Sequence, residues 1–574
     1  MQNFKKFIVS LSIIFISVVA LTGSYLRKPL NDYEQSTETV FSKQKDGPLK
    51  ISVFTDQKYE LPTDDNKIYK WIKKKFGVTF KWDVLTGNKD QKVGYMIASF
   101  DLPDLIYCNT PYFKQAACLK DIKPLIEKYC PNLMKHYASV WKQMLYKDSE
   151  LDANGDIINE HIYGLPSFCV YDGTYDETYY NLNAFWIQKA VLKEFNYPKI
   201  TTIDEYFDLI EKYIKKYPSL NGKKNIPFSL FCADWEAYNL WNPANFLAGY
   251  PNDGDGHVDY ENGKYIYRDN FCQDNSLRWL KIMNAYYNKG LVDEEIFLDS
   301  RDSFLKKIES GKLLGFFCQG WEFLSETQNI PDEKTYCPLP VVFDKKTTPY
   351  YVNMSTSVPG YERDLSFSAK CSDDKAIKIL KFMDEMIKEE NQKVLYWGIE
   401  NEDYMMDKKT NKPYRTQKQI QDSKDPSWQF KNRAQLWALM APKLEGRRKS
   451  GYTNSLDLIP SEYLKSLNKT DRELLKAYSV SSYVELMEKN VQQNPFWYPL
   501  WKEYPDTQNP EEIHAMVQCE VIAAEYYPKL IMASPSQFDA IWSDFSSKIK
   551  PYTTTFNAYM QKKLDKLYKI YGTE

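Results

Sequence analysis

The sequence predicts an α/β chain of two lobes joined by a hinge, and three observations carry that prediction. Leu49–Phe54, Lys67–Phe76 and Val78–Trp82 run strand, amphipathic helix, strand, an opening that implies a parallel sheet. The same alternation resumes after Tyr163. Between the two sets lie the extended crossings Tyr163–Phe168 and Thr178–Asn181, which frame a Gly-, Asp- and Tyr-rich loop, Tyr171–Tyr175. A ligand is expected in the crevice between such lobes.

Taken in order, the elements justify the two halves. A helix is expected over Lys89–Ser99, a third strand at Leu105–Tyr107 and helices over Ile122–Tyr129 and Met134–Tyr146. Beyond the crossings, helices are expected over Ala184–Phe195, Ile203–Tyr217 and Ser276–Lys289. The second of these is introduced by Thr201 and Thr202 with Glu205 three residues on, a capping-box spacing. Phe228–Phe231 and Gly311–Phe317 read as buried strands, and Phe304–Glu309 and Asp373–Lys388 as helices. Past residue 400 the chain is Lys-, Gln- and Tyr-rich, mostly helical, and ends in an amphipathic stretch over Tyr552–Tyr571. The domain reading is a signal peptide over 1–24, a tether over 25–48, a first lobe from 49–165 and 345–400, and a second lobe from 166–344. Residues 401–574 form a helical region packed on the second lobe.

Composition narrows the function classes. The chain has 574 residues, 75 Lys and Arg against 77 Asp and Glu, a net charge of −2, and 43% apolar residues, as expected of a globular protein. Balanced charge without a basic run removes the term that dominates nucleic-acid affinity, so no nucleic-acid partner is expected. Four histidines stand far apart with no H-x-x-x-H or H-E-x-x-H spacing, which argues against a His-rich zinc site. The 14 Trp, 45 Tyr and 30 Phe supply many side chains with an apolar face and, in Tyr and Trp, a polar edge.

At the amino terminus Lys5 and Lys6 precede a charge-free stretch, Phe7–Leu21, then small residues: the pattern of a secretory signal. Fifteen residues fall short of the roughly 20 that span a bilayer, so export to the extracellular face is expected; an uncleaved membrane anchor is the alternative. Leu21-Thr22-Gly23-Ser24 matches the bacterial lipoprotein signal at three of four positions. The fourth demands a Cys thiol to take up the lipid, and Ser24 has none. The ten cysteines include no C-x-x-C pair and are expected as buried thiols, although an exported protein permits disulfides.

Several runs together resemble the extracellular solute-binding proteins of bacterial ABC importers (family 1), in particular the large lipoprotein branch that takes up oligosaccharides. They are Asp101–Ile106, Tyr163–Pro166, Tyr179–Asn181 with Ala184–Trp186, Ile203–Tyr206, Ser276–Val292, Ile308–Lys312 leading into Gly315–Phe317, Gly398–Glu400 and Leu564–Tyr571. The resemblance implies a periplasmic-binding-protein-like fold of type II with a helical C-terminal part. It also implies a monomer that closes on a sugar and delivers it to membrane permease subunits. Many members carry a calcium loop before an Ile-Pro-Phe strand; here the matching run, Leu220–Phe228, has no carboxylate, and no calcium is expected there. Two other clusters, Asp152/Asn154/Asp156 with Glu160 and Asp253/Asp255/Asp259, only partly match oxygen-ligand spacing. No metal and no cofactor is assigned.

A glycosidase would use paired carboxylates, and no spacing selects a pair. There is no G-x-S-x-G elbow, no phosphate loop and no G-x-G-x-x-G, so no enzyme is expected; a secreted glycosidase or an adhesive carbohydrate-binding role is the alternative. A sugar cleft needs aromatic platforms and planar hydrogen-bonding groups at strand ends and hinge. The candidates are Tyr107 and Asn109; Tyr171, Asp172 and Tyr175; Trp235 and Glu236; Gln319, Trp321 and Glu322; and Trp397 with Glu400. Trp321 and Trp235 each follow a buried strand directly and sit among polar neighbours. Core packing is the competing role for every one of these aromatics, and a Gly after Trp397 can equally serve to end a helix.

Overall fold

A computed structural model describes residues 48–57, 60–152, 156–166, 180–251, 253–327, 330–349, 364–434, 436, 441–444, 446–487, 495–505 and 509–571. The side chains of residues 234, 235, 325 and 502 lie outside that description. Nine strands build the two main sheets among these residues: β1 (Leu49–Thr55), β2 (Val78–Val84), β3 (Leu105–Tyr107), β4 (Gly164–Pro166), β5 (Asn183–Gln188), β6 (Ile226–Leu230), β7 (Leu313–Gln319), β8 (Tyr336–Leu339) and β9 (Asp364–Phe367). The first sheet has the order β2-β1-β3-β9-β4, with β1 parallel to β2 and β3, and β9 antiparallel to both its neighbours. The second has the order β6-β7-β5-β8, with β6 parallel to β7 and β5 antiparallel on both sides. The fold is therefore mixed α/β, with two sheets and a helical C-terminal part.

Local signals explain the helices that position these sheets. Helix α1 (Lys67–Phe76) buries Ile68, Ile72 and Phe76, a stripe at i, i+4, i+8. Asn66 caps it by accepting from the Ile68 and Tyr69 amides at 2.9 and 3.3 Å. Helix α2 (Ile203–Lys216) begins with the expected capping box: Thr202 Oγ1 accepts from the Glu205 amide, and the Glu205 carboxylate accepts from the Thr202 amide.

The helix expected over Ala184–Phe195 is corrected. Its first half is strand β5, all six residues of which are buried, and helix begins only at Lys189. A strand covered on both faces has no polar alternation, so Asn-Ala-Phe-Trp-Ile-Gln carries no period-2 pattern to announce it. Two of its polar side chains are satisfied across the sheet: Trp186 Nε1 donates to the Cys318 carbonyl at 2.9 Å, and Gln188 Nε2 to the Gly311 carbonyl at 2.9 Å. Tyr206 of α2 donates to the Trp186 carbonyl at 2.7 Å. Gly315 of β7 makes room for that phenol, since a Cβ there would lie 2.1 Å from the Tyr206 hydroxyl.

Each sheet has its own core. The second gathers Phe185, Phe207, Phe228, Trp279 and Phe317 with C-terminal side chains from Tyr463 to Leu567. The first gathers Ile51, Val53, Leu105, Leu365 and Phe367, together with Trp397, Tyr404, Leu436, Leu444, Tyr452 and Leu456. The expectation that everything past residue 400 packs on the second lobe is thus corrected, because the apolar side chains between Tyr404 and Leu456 are buried against the first sheet's core.

Three helices close the second unit: α3 (Asp274–Asn288), α4 (Pro510–Met532) and α5 (Phe538–Tyr571). Asn284 of α3 caps the end of α4, its Nδ2 donating to the carbonyls of Leu530, Ile531 and Ala533 at 2.8–3.1 Å and satisfying acceptors that a helix end leaves open. At the end of α5 the Tyr571 ring lies 6.3 Å from that of Tyr146, which belongs to the first-sheet side.

The acidic clusters serve packing and turns. Asp253 accepts from Trp497 Nε1 at 3.2 Å and the Leu500 amide at 3.1 Å; Asp255 accepts from Trp241 Nε1 at 2.7 Å; Asp259 pairs with Arg268 at 2.6 Å. Asp152 accepts from the Asp156 amide at 2.8 Å across a hairpin turn, while Asn154 lies outside the described residues; Glu160 pairs with Lys123 at 3.0 Å. The Leu220–Phe228 run opens in a tight hairpin, Leu220 paired with Lys223 around Asn221 and Gly222, and ends in β6. The nine described cysteines are free thiols; Cys169 lies outside the described residues.

Asp255 and Glu520 of α4 hydrogen-bond through their carboxyl groups, and burial raises the affinity of both for protons. Asp269 adds a negative field at Asp255, and Trp241 and Tyr504 donate towards it. The folded pair keeps a proton that the unfolded carboxyls release above about pH 4.3. Its contribution is therefore complete below that pH and is lost as pH climbs through the raised range. Tm measured from pH 5 to 9 should fall along that limb, and Glu520→Gln, which can donate the same hydrogen bond without titrating, should flatten it. An equal slope in the variant would remove the pair as the cause.

Candidate ligand-binding site

The polar groups that converge lie where β7 ends. After Gln319 the chain makes a 3-10 turn, Gly320–Glu322, clamped to the segment entering β5: the Gly320 amide donates to the Leu182 carbonyl and the Trp321 amide to that of Asn181, both at 3.1 Å. This holds Trp321 out, 49% exposed, while its neighbours Gly320 and Glu322 are buried.

A chain of hydrogen bonds fixes the indole. Trp321 Nε1 donates to Gln319 Oε1 at 2.7 Å, Gln319 Nε2 donates to the Tyr238 hydroxyl at 2.8 Å, and Tyr238 donates to Glu322 Oε1 at 3.0 Å. Burial lifts the Glu322 carboxyl to about 7 against the opposing hydrogen bonds from Tyr238 and the Gln319 amide, and burial raises the Tyr238 phenol as well. Arg301 anchors the far side, pairing with Glu236 at 3.1 Å and donating to the Glu322 carbonyl at 2.9 Å. Glu236 and Glu322 are therefore buried supports beneath the surface.

Beside this chain stands Asn183, opposite Gln319 in the ladder, 5% exposed, with no hydrogen-bond partner on either polar atom of its amide among the described residues. A buried primary amide left unsatisfied costs roughly 1–3 kcal/mol. A hydroxyl-bearing ligand or a bridging water is the natural complement.

On the first sheet, the carboxyl end of β3 places Asn109 at the surface. Its amide donates to Asp56 Oδ2 at 3.2 Å, and Lys89 Nζ donates to its carbonyl at 3.2 Å. Tyr112 follows one turn later, 41% exposed. A groove of about 490 Å³ elsewhere, between Asp204, Arg278, Lys281 and Tyr286, runs along α2 and α3 and shares no residue with these strand ends.

The remaining sequence candidates separate by burial. Tyr107 is 2% exposed in the first core, a correction forced by its position inside β3. Trp397 is likewise core: it stacks on Tyr452 at 5.5 Å and donates from Nε1 to the Thr453 carbonyl at 2.8 Å, so it offers no face to a ligand. Gly398 ends the preceding helix with φ +90°; a Cβ there would lie 2.2 Å from Asp403 Oδ2. Glu400 is exposed in the turn that follows and bridges Tyr404 through its backbone. Tyr171, Asp172 and Tyr175, and the Trp235 side chain, lie outside the described residues. Tyr238, Arg301, Asn183 and Tyr112 were not among the candidates. Tyr238 was recoverable as the i+3 neighbour of Trp235 in a helical turn; the other three carry no local signal.

No family model and no curated protein matches this sequence. Solved structures do. An extracellular solute-binding protein from Bifidobacterium longum subsp. infantis aligns with TM-score 0.62 and 15% identity over 92% of this chain and 99% of its own. The ABC-transporter substrate-binding protein FusA of S. pneumoniae, solved in complex with kestose, aligns with TM-score 0.60 and 18% identity over 90% and 99%. An HMO-binding, ABC-transporter-associated solute-binding protein from Bifidobacterium longum infantis aligns with 0.59 and 15% over 90% and 99%. This chain has their fold. At such identities the likeness concerns architecture, and it agrees with the periplasmic-binding-protein-like expectation.

Two variants test the geometry. Tyr238→Phe leaves Gln319 and Glu322 without their shared hydroxyl and should cost about 1–3 kcal/mol of stability in denaturant unfolding. Trp321→Ala should cost less than about 1 kcal/mol because half of that ring is already in water, whereas Trp397→Ala should cost about 3–5 kcal/mol. Equal losses for the two tryptophans would contradict the burial assigned here.

Proposed function

We propose that this chain is the extracellular substrate-binding component of an ABC importer, taking a sugar, an oligosaccharide by preference, between its two sheet-bearing lobes. The observation that carries the reading is Trp321. Its ring is half exposed, its N–H is already engaged by Gln319, and it stands beside the unsatisfied Asn183 amide at the end of a buried strand. An indole held in that way presents a flat apolar face to the C–H face of a pyranose or furanose ring, while the amide meets hydroxyls. Asn109 and Tyr112 supply a polar group and a second ring from the first lobe. The kestose and HMO named for FusA and the Bifidobacterium protein, on the same fold, support a sugar as ligand.

In this reading the protein binds without turnover. Glu236 and Glu322, the two buried carboxylates of this hydrogen-bonded network, are held by Arg301 and by Tyr238, as supports are, and neither stands exposed. The chain works as a monomer outside the cell, delivers its ligand to membrane permease subunits, and is exported through its N-terminal signal without a lipid on Ser24. Tyr171, Asp172, Tyr175 and Trp235 are proposed as further sugar contacts on their sequence pattern alone.

Calorimetry against a panel of plant and host oligosaccharides should find saturable binding, with the sugar recovered intact and the fold stabilised by about 2.7 kcal/mol at a hundredfold excess over Kd, read as a rise in Tm. Trp321→Ala should weaken binding by about 2–4 kcal/mol, the range of a binding hot spot. Release of shorter sugars in proportion to protein concentration would favour a glycosidase instead, and a Trp321→Ala variant with unchanged Kd would take that ring out of the site.

A further inference from the structure

A second cavity lies in the segment that packs on the first core, about 130 Å³ in volume, lined by Arg415, Arg433, Ser423, Gln429, Ser455 and Asp457. Two guanidinium groups in one small polar cavity are costly unless each is compensated. Arg415 is: it pairs with Asp457, and its Nε lies 3.7 Å from Glu462, without a hydrogen bond. Arg433 is not. Its Nη1 donates to the Trp397 carbonyl at 2.6 Å and its plane lies 4.9 Å from the Trp428 ring, yet no carboxylate stands within ion-pair distance among the described residues. The nearby Asp403 is taken by Lys67 at 2.6 Å. Burial and the neighbouring Arg415 lower the pKa of Arg433, with Asp403 and Asp457 opposing from beyond ion-pair distance.

The position of Arg433 is built in. Asn66, fully buried at the start of α1, donates from Nδ2 to the carbonyls of Phe430 and Arg433 at 2.8 and 2.9 Å. Because α1 connects the parallel strands β1 and β2, it begins on the side of the sheet where β1 and β3 end, the side that carries Asn109.

We propose that the cavity between Arg415 and Arg433 is a binding site for one compact oxyanion, a carboxylate, sulfate or phosphate group, with Arg433 as the charge that receives it and Ser423 and Gln429 as flanking polar groups. A planar guanidinium with free N–H donors suits such a group, and the cavity has room for one. The oxyanion is either a free inorganic ion or the acid group of a larger ligand such as a uronate-bearing sugar. The site does not depend on the sugar-binding reading.

The test is calorimetric titration of the full exported chain with sodium sulfate at constant ionic strength, and separately with a neutral and a uronate-bearing oligosaccharide. Sulfate should bind saturably. Arg433→Gln should weaken it at least tenfold and Arg433→Lys less. Asp457→Asn, at a half-exposed position, removes the counter-charge of Arg415 and should tighten it severalfold, which keeps the test informative if the Arg433 variants fold poorly. If the acid group of a sugar is the natural occupant, Arg433→Gln should weaken only the uronate-bearing ligand and sulfate should compete with it; if a free ion is, neither sugar should respond. No saturable binding of sulfate or of the uronate by the wild-type chain, or binding unchanged in both Arg433→Gln and Asp457→Asn, overturns the proposal.

Discussion

Strand β5 takes six consecutive residues, Asn183 to Gln188, out of water between β7 and β8, and much of the second unit follows from that burial. A strand covered on both faces must find partners for its polar side chains as well as its backbone. Gln188 finds them in the carbonyls at the start of β7, Trp186 in the carbonyl of Cys318, and the Trp186 carbonyl in the phenol of Tyr206. These bonds set the register of β7 and draw α2 against the sheet so closely that Gly315 leaves no space for a larger residue. Only at the amino end does the arrangement leave a polar side chain unmet, at Asn183.

The candidate site is the consequence of where that order stops. β7 leaves the sheet beside Asn183, and the turn after it is pinned by the Asn181 and Leu182 carbonyls, with Trp321 on its exposed side. Tyr238 and Arg301 come from elements far away in sequence, and both are required to hold the carboxylate and the carbonyl of Glu322 beneath the ring. The ring is therefore a surface group held from below by buried ones, and its orientation is fixed by the fold, which would reduce the ordering cost of the proposed sugar contact.

The C-terminal region shows the same economy of polar contacts on a larger scale. Buried carboxylates in the loop before the 256–269 hairpin accept from Trp497, Leu500 and Trp241, and the Asp255 amide donates to the Tyr504 hydroxyl, so residues with the spacing of a cation loop dock one part of the chain on another. Asn284 does the equivalent for the end of α4, and Asn66 for the end of the helix Pro426–Asn432. The region divides between two cores because its apolar side chains do: Tyr452 stacks on Trp397, while Phe545 and Phe556 face the second sheet's side.

By itself the sequence determined the elements whose signals are local. Helix α1 with its i, i+4, i+8 stripe, α2 with its capping box, and β3 between a Pro turn and a polar loop all stand where the pattern puts them, since near-neighbour contacts dominate their energetics. Gln319 and Trp321 were legible too, because a buried run that ends in polar and aromatic residues marks a strand end. The tertiary structure decided whatever depends on distant partners. It made a strand of Asn183–Gln188, because two neighbouring strands outweigh helical propensity there. It also placed Tyr107 and Trp397 inside a core while leaving Trp321 in water, although all three are aromatic residues near polar neighbours. Side-chain burial depends on what packs from elsewhere in the chain, and for these residues the deciding neighbours lie dozens to hundreds of positions away.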